Sequence, residues 1–174
     1  MVDRKGCSTG IYYTLNPVKP DLLPLANNRL VKAKATTRDD DIVVRRWLLV
    51  DVDANRPAGI STNDEELDRA KHTVQQIRKD LTFEGWPPPI YAMSGNGYHL
   101  LYRVDLSVDD RQKLKNVLLG LHHKYCDDHG TIDKVIHNPA RITKVIGAEA
   151  RKVDSPESRP HRRSKLLEVP DVDR

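Results

Sequence analysis

The sequence predicts an α+β domain: a mixed, mostly antiparallel sheet with helices packed on it. Three observations carry that expectation. Two long stretches repeat apolar residues at helical spacing, and several short apolar runs bounded by turn residues read as strands. Two of those runs are joined closely enough to form a hairpin. At 174 residues the chain can bury one proper core and is too short for two ordinary domains. Residues 1–174 are therefore expected to form a single domain, which could equally be a piece excised from a longer protein.

Taken in order, Gly10 to Leu15 reads as a first strand, stopped by Asn16-Pro17. Pro20 to Leu25 is expected to be irregular, Leu30 to Ala35 carries no clear signal, and Thr36 to Asp41 is turn-like. A strand follows from Ile42 to Asp53. Ser61 to Glu66 is a strong helix start, because Thr62 or Asn63 can cap free amides while Glu65 or Glu66 completes the box three residues on. Leu67, Ala70, Val74, Ile77 and Leu81 then form one buried helical stripe. Gly85-Trp86-Pro87-Pro88-Pro89 ends it. Ile90 to Met93 and Tyr98 to Val104 flank Gly95-Asn96-Gly97 and predict a β-hairpin. Asp109 or Asp110 opens a second helix, with Leu114, Val117 or Leu118, Leu121 and Tyr125 on its inner face. Strands from Ile132 to Ile136, Arg141 to Ile146 and Lys165 to Val169 complete the chain.

The net charge of +4 and a pI near 9.1 suit a polyanionic partner. Positive charge gathers in residues 141–165, which hold Arg141, Lys144, Arg151, Lys152, Arg159, Arg162, Arg163 and Lys165. Such a run is ordinarily a solvated face, and it bears on function only if it shares a site with other chemistry. Cys7 and Cys126 have no zinc-module spacing, and a reducing, cytoplasmic setting is the simplest expectation. No leader-like or membrane-spanning apolar run stands out, so no membrane partner is expected.

Asp51 and Asp53 carry the first chemical hypothesis. At i and i+2 of a strand they point to one side, roughly 6–7 Å apart along the chain. Two same-side carboxylates at the end of a buried strand repel each other and call for a compensating charge, which a divalent metal supplies. The plainer alternative is that both merely open the turn Ala54-Asn55-Arg56-Pro57.

Three elements then stand in order: Asp51-Val52-Asp53, Ser94-Gly95-Asn96-Gly97-Tyr98-His99, and Thr131-Ile132-Asp133 followed by Asn138-Pro139-Ala140-Arg141 and Lys144. This arrangement resembles the archaeo-eukaryotic primase superfamily, in particular its small primase-polymerases. The likeness extends to Asn16-Pro17, Arg56 to Gly59 and Arg159 to Ser164. It implies an RRM-like core sheet and templated nucleotidyl transfer from NTP or dNTP on single-stranded DNA, with or without a primer strand. It also implies Mg²⁺ or Mn²⁺ in a two-metal site held by Asp51, Asp53 and Asp133, the ions about 3.5–4 Å apart. Asp133 is chosen on the resemblance alone, since Asp127 and Asp128 lie nearby.

By the same resemblance His99 faces the triphosphate. Ser94, Asn96 and Gly97 belong to a loop whose amides can approach phosphate oxygens; without the resemblance it reads as a plain hairpin turn. Some relatives place a lysine and a serine ahead of the histidine where this chain has Gly95 and Gly97. The missing donors are expected from Arg141, Lys144, Arg162 and Ser164. Tyr12 or Tyr13 could lie beneath the nucleotide sugar, and Asn28 and Arg29 are candidate template or nucleotide contacts. His122 and His123 point to different faces of a helix and are left out of any metal site.

Two enzyme rivals fare worse. An aspartyl-nucleophile phosphatase also ends a strand in Asp-X-Asp but continues with a threonine where this chain has Asn55, and a rolling-circle nicking enzyme needs a His-apolar-His motif that is absent. The remaining rival is a catalytically silent single-stranded nucleic-acid-binding domain.

Overall fold

In the computed structural model the described residues are 11–25, 36–152 and 156–171. Among these residues, nine strands and two α-helices run in the order β1 Tyr12–Thr14, β2 Arg45–Ala54, α1 Asp64–Phe83, β3 Ile90–Met93, β4 Gly97–Leu106, α2 Arg111–Tyr125, β5 Gly130–Ile132, β6 Ile142–Lys144, β7 Glu149–Ala150, β8 Arg162–Arg163 and β9 Lys165–Glu168. The main sheet has the order β5-β2-β4-β3-β9, and every ladder among the described residues is antiparallel. Its first four strands, connected β2-α1-β3-β4-α2-β5, make the doubled split-βαβ order of an RRM-like sheet. β1 pairs with β6 and β7 with β8 in two small ribbons.

Alternation along β2 and β4 separates two faces. Leu48, Val50 and Val52, with Tyr98, Leu100 and Tyr102, are buried on the side covered by α1, which packs against β2, β4 and β5. Odd-numbered Leu49, Asp51, Asp53 and His99 point the other way, into a cleft roofed by the ribbons.

Helix α1 starts at the predicted box: Asn63 accepts from the Glu66 N–H at 2.8 Å, and Glu66 accepts from the Asn63 N–H at 3.1 Å. Thr62 is not the cap; its side chain is buried against Asn96. Asn63→Ala is expected to cost about 1 kcal/mol, read as a lower urea midpoint with an unchanged slope. In α2 Leu118, rather than Val117, joins Leu114, Leu121 and Tyr125 in the core. His122 is half-buried, with Nδ1 2.8 Å from the Ile132 carbonyl, and the exposed His123 stays edge-on to it with ring centroids 5.8 Å apart, so the two side chains are closer than their helical spacing predicts.

Several strand limits differ from expectation. β2 begins at Arg45 rather than Ile42, which instead bridges to Val18 after a 3-10 turn over Asp39–Asp41. Arg45 is almost fully buried and donates to the Val108 and His137 carbonyls. β5 stops at Ile132 because the Asp133 carboxylate accepts from the Val135 N–H and turns the chain. β1 and β6 are shorter than predicted, and Pro20–Leu25 is a 3-10 helix rather than irregular.

A clasp joins the late part of the chain to the start of α1. Arg159 makes two 2.7 Å bonds to the Glu66 carboxylate and a third to the Ser61 carbonyl. Arg162 donates to the Thr62 carbonyl and, at 2.6 Å, to Asp64. No helix among the described residues is long and apolar enough to cross a membrane.

Candidate functional site

The site is built on the ladder between β2 and β4, where Asp51 sits opposite His99 and Asp53 opposite Gly97. Gly97 permits that approach: a Cβ there would stand 2.2 Å from the Val52 carbonyl oxygen and 2.9 Å from Asp53 Cα. Asp133 comes alongside because its N–H donates to the Asp51 carbonyl at 3.0 Å. Two of the three carboxylates thus arrive from β2 and the third from the residue that follows β5, each beside a nitrogen group. His99 Nε2 is 3.4 Å from Asp51, Arg56 Nη1 is 3.5 Å from Asp53, and Arg141 Nη2 is 3.8 Å from Asp133.

A cleft of about 200 Å³ opens over this face. Asp51, Asp53, His99, Ser94 and Asn96 line one side, with Arg56 at the end of β2. Tyr12, Arg141, Lys144, Arg151 and Lys152 close it from the ribbons. Cations therefore outnumber acids on its walls.

Burial sets the protonation chemistry. The Asp51 carboxyl is pushed up to about 8, first by burial and then by Asp53 and Asp133, against the opposing pull of Arg141 and Arg56. Burial, followed by Lys144 and Arg141, pushes His99 down to about 4, so its imidazole is neutral at physiological pH. His99 can therefore exchange hydrogen bonds with a ligand but brings no charge. Lys144 is lowered by burial and then by Lys152; its Nζ donates to the Glu149 carbonyl and stands 5.9 Å from the Tyr12 ring centroid.

Most of the residues expected from sequence converge here: Asp51, Asp53, His99, Ser94, Asn96, Arg141, Lys144 and Tyr12 line the cleft, and Asp133 flanks it. Tyr13 is directed to the opposite face of β1 and does not line it. Arg162 is committed to the clasp on α1, and Ser164 is buried, bonding the Val145 and Ala148 carbonyls and the Gly147 N–H. Neither lines the cleft. Asn28 and Arg29 lie outside the described residues.

The Gly-Asn-Gly loop holds structure rather than an open cradle. Its Asn96 side chain and carbonyl take bonds from Thr62 and Ala54. Ser94 N–H donates to the Gly97 carbonyl, and Ala150 fills the place a Cβ on Gly95 would need. The side chains that sequence reasoning missed are Arg56, Arg151 and Lys152. The last two lay within the noted basic cluster; nothing local set them apart.

Among the described residues, no three His, Cys, Asp or Glu side chains are gathered into a ready metal-ligand group. Each of the three carboxylates has a different nitrogen partner, His99, Arg56 or Arg141. Their donor chemistry still fits a hard divalent cation: all ligands are oxygen, and a buried carboxyl raised by two like charges is relieved by added positive charge. No family model, curated protein or solved structure matches the chain, so the site's own chemistry carries the functional argument.

Proposed function

We propose that this chain is a nucleotidyltransferase that joins nucleotides along a single-stranded DNA template, a small primase-polymerase of the archaeo-eukaryotic primase kind. The observation that carries the reading is the mixed charge of the cleft. Carboxylates of Asp51 and Asp53, with Asp133 bonded to the Asp51 backbone beside them, share it with Arg141, Lys144, Arg151 and Lys152. A nucleoside triphosphate with its counter-ions needs both halves: cations for about four negative charges, and acids for metal.

Asp51, Asp53 and Asp133 would hold Mg²⁺ or Mn²⁺, which when bound lowers the pKa of the attacking hydroxyl and steadies the leaving pyrophosphate. The basic wall binds the polyphosphate and orients it. His99, neutral and beside Asp51, adds a hydrogen bond at the same place. Tyr12, exposed on the cleft face, offers a surface for the sugar. With both substrates aligned, the 3′-oxygen bonds to the α-phosphorus as the bond to the pyrophosphate oxygen breaks. The hydroxyl proton passes to water.

A phosphatase reading accounts for the acids but leaves the long basic wall without a purpose. A cytoplasmic setting and accessory domains in a longer protein accompany the proposal.

The test is incorporation of labelled nucleotides on single-stranded DNA with Mn²⁺, with and without an annealed primer, comparing wild type with Asp51→Ala/Asp53→Ala. Products in both wild-type reactions and none with the variant are expected. Extension only from a primer would indicate a polymerase whose initiation needs more protein. No synthesis with strand binding intact would replace the enzyme by a silent binding module.

A further inference from the structure

Among the described residues that line the cleft, Arg56 is the one cation carried by the turn that follows β2; Arg141, Lys144, Arg151 and Lys152 come from the ribbons. We infer that Arg56 sets which charge the cleft accepts first: it disfavours a divalent ion arriving alone at Asp53 and favours a polyphosphate, so that metal is taken up together with the triphosphate. The inference rests on the transferase reading, which asks the cleft to hold both, and adds the residue that balances one against the other.

The position of this charge is fixed by the backbone. Nε donates to the Ile60 carbonyl and Nη1 to the Ala54 carbonyl, each at 3.1 Å, and Nη1 stands 3.5 Å from the Asp53 carboxylate. The turn itself is anchored to the segment leading into β5. Asn55 Nδ2 donates to the Asp127 carbonyl at 2.7 Å, and Asn55 Oδ1 accepts from the Thr131 hydroxyl at 2.6 Å. With its side chain only 13 % exposed, Arg56 leaves this place only by giving up both carbonyls. Its partners' counterparts differ. His99 beside Asp51 is neutral, and Arg141, 3.8 Å from Asp133, has no such backbone anchor.

The rest is electrostatics. A guanidinium keeps its charge at every working pH. A divalent ion drawn to the half-exposed Asp53 therefore meets a positive charge that cannot titrate away, and the two repel. A triphosphate, with about four negative charges, is attracted by the same group. Nη2 makes no hydrogen bond among the described residues and keeps its two N–H groups for a phosphate oxygen.

The probes are Mn²⁺ alone, read by electron paramagnetic resonance, and a fluorescent nucleoside triphosphate in chelator, read by anisotropy. Arg56→Gln removes the charge and Arg56→Lys keeps it. Arg56→Gln is expected to bind Mn²⁺ about tenfold more tightly and the triphosphate about tenfold more weakly, with Arg56→Lys within about threefold of wild type for both. A merely structural role would weaken both ligands together. Loss of both, no change in either, or equal effects of the two variants overturns the inference, and a wild type that binds neither probe removes it along with the transferase reading. Opposite shifts in a protein that forms no new bond in the incorporation test leave the role of Arg56 standing and remove the transferase; synthesis with unshifted affinities does the reverse.

Discussion

Asp51→Asn is expected to produce a protein without synthetic activity that is nonetheless more stable than wild type at pH 8 in chelator. Asp51 is four-fifths buried next to two other carboxylates, and its carboxyl is held up at about 8 against an ordinary 3.8. The folded state therefore keeps a proton that the unfolded chain has released. The stability this brings is fully present below about 3.8 and is lost as pH rises to about 8. His99 works in the other direction: lowered to about 4 from 6.5, it contributes stability present above 6.5 and lost as pH falls toward 4.

Between pH 4 and 6.5 the two slopes oppose each other. Above 6.5 only that of Asp51 remains, and the metal-free protein should lose about 2 kcal/mol by pH 8, at about 1.4 kcal/mol per unit. An asparagine keeps the neutral shape and does not titrate, so this decline should vanish in urea melts at pH 6.5 and 8. Incorporation should fall on the order of a thousandfold, since the variant removes a ligand from the proposed reacting centre. An equal decline in both proteins would show that Asp51 is not held in its acid form.

Gly97→Ala should be the most damaging single-methyl change in the sheet. The added carbon would meet the Val52 carbonyl oxygen and Asp53 Cα, both backbone atoms of the neighbouring strand β2 that cannot swing aside. A cost of about 3 kcal/mol is expected, which for a chain of this size lowers the melting temperature by about 6–12 °C. Because β4 is displaced next to Asp53 and His99, activity should fall further than stability accounts for. Gly120→Ala, on α2 with nothing within 4 Å of the added atom, serves as the contrast and should gain about 0.5–1 kcal/mol. Equal effects at the two positions would refute the close-approach argument.

What was legible in the sequence is what short-range periodicity encodes. The i and i+2 spacing of Asp51 and Asp53 put both on one face, and the Asn63–Glu66 box and the stripe from Ala70 to Leu81 placed α1. Arg162 shows where such reading stops. Its sequence neighbourhood is the same whether the guanidinium meets phosphate, water or Asp64, and the deciding partner lies 98 residues away. Arg56, though within the segment the resemblance covers, was given no role for a related reason: it is defined by bonds to Ala54 and Ile60 that fold a turn back beside Asp53, and a turn has no period. Asp133 was found only through the resemblance, because the bond from its N–H to Asp51 joins strands far apart in the chain.

The clasp of Arg159 and Arg162 on the start of α1 bears on how the chain reaches this state. Its bonds close loops of 93 to 100 residues, so they are expected to form after the intervening hairpin and second helix have found their places. The hairpin turn is held between these two late partners, by Thr62 on one side and by Ala150 and Arg162 on the other. The acidic strand can thus be assembled early, while its register against the turn is locked last. A chain interrupted before Arg159 would retain the residues of the acidic end yet lack the bonds that hold them to a single geometry.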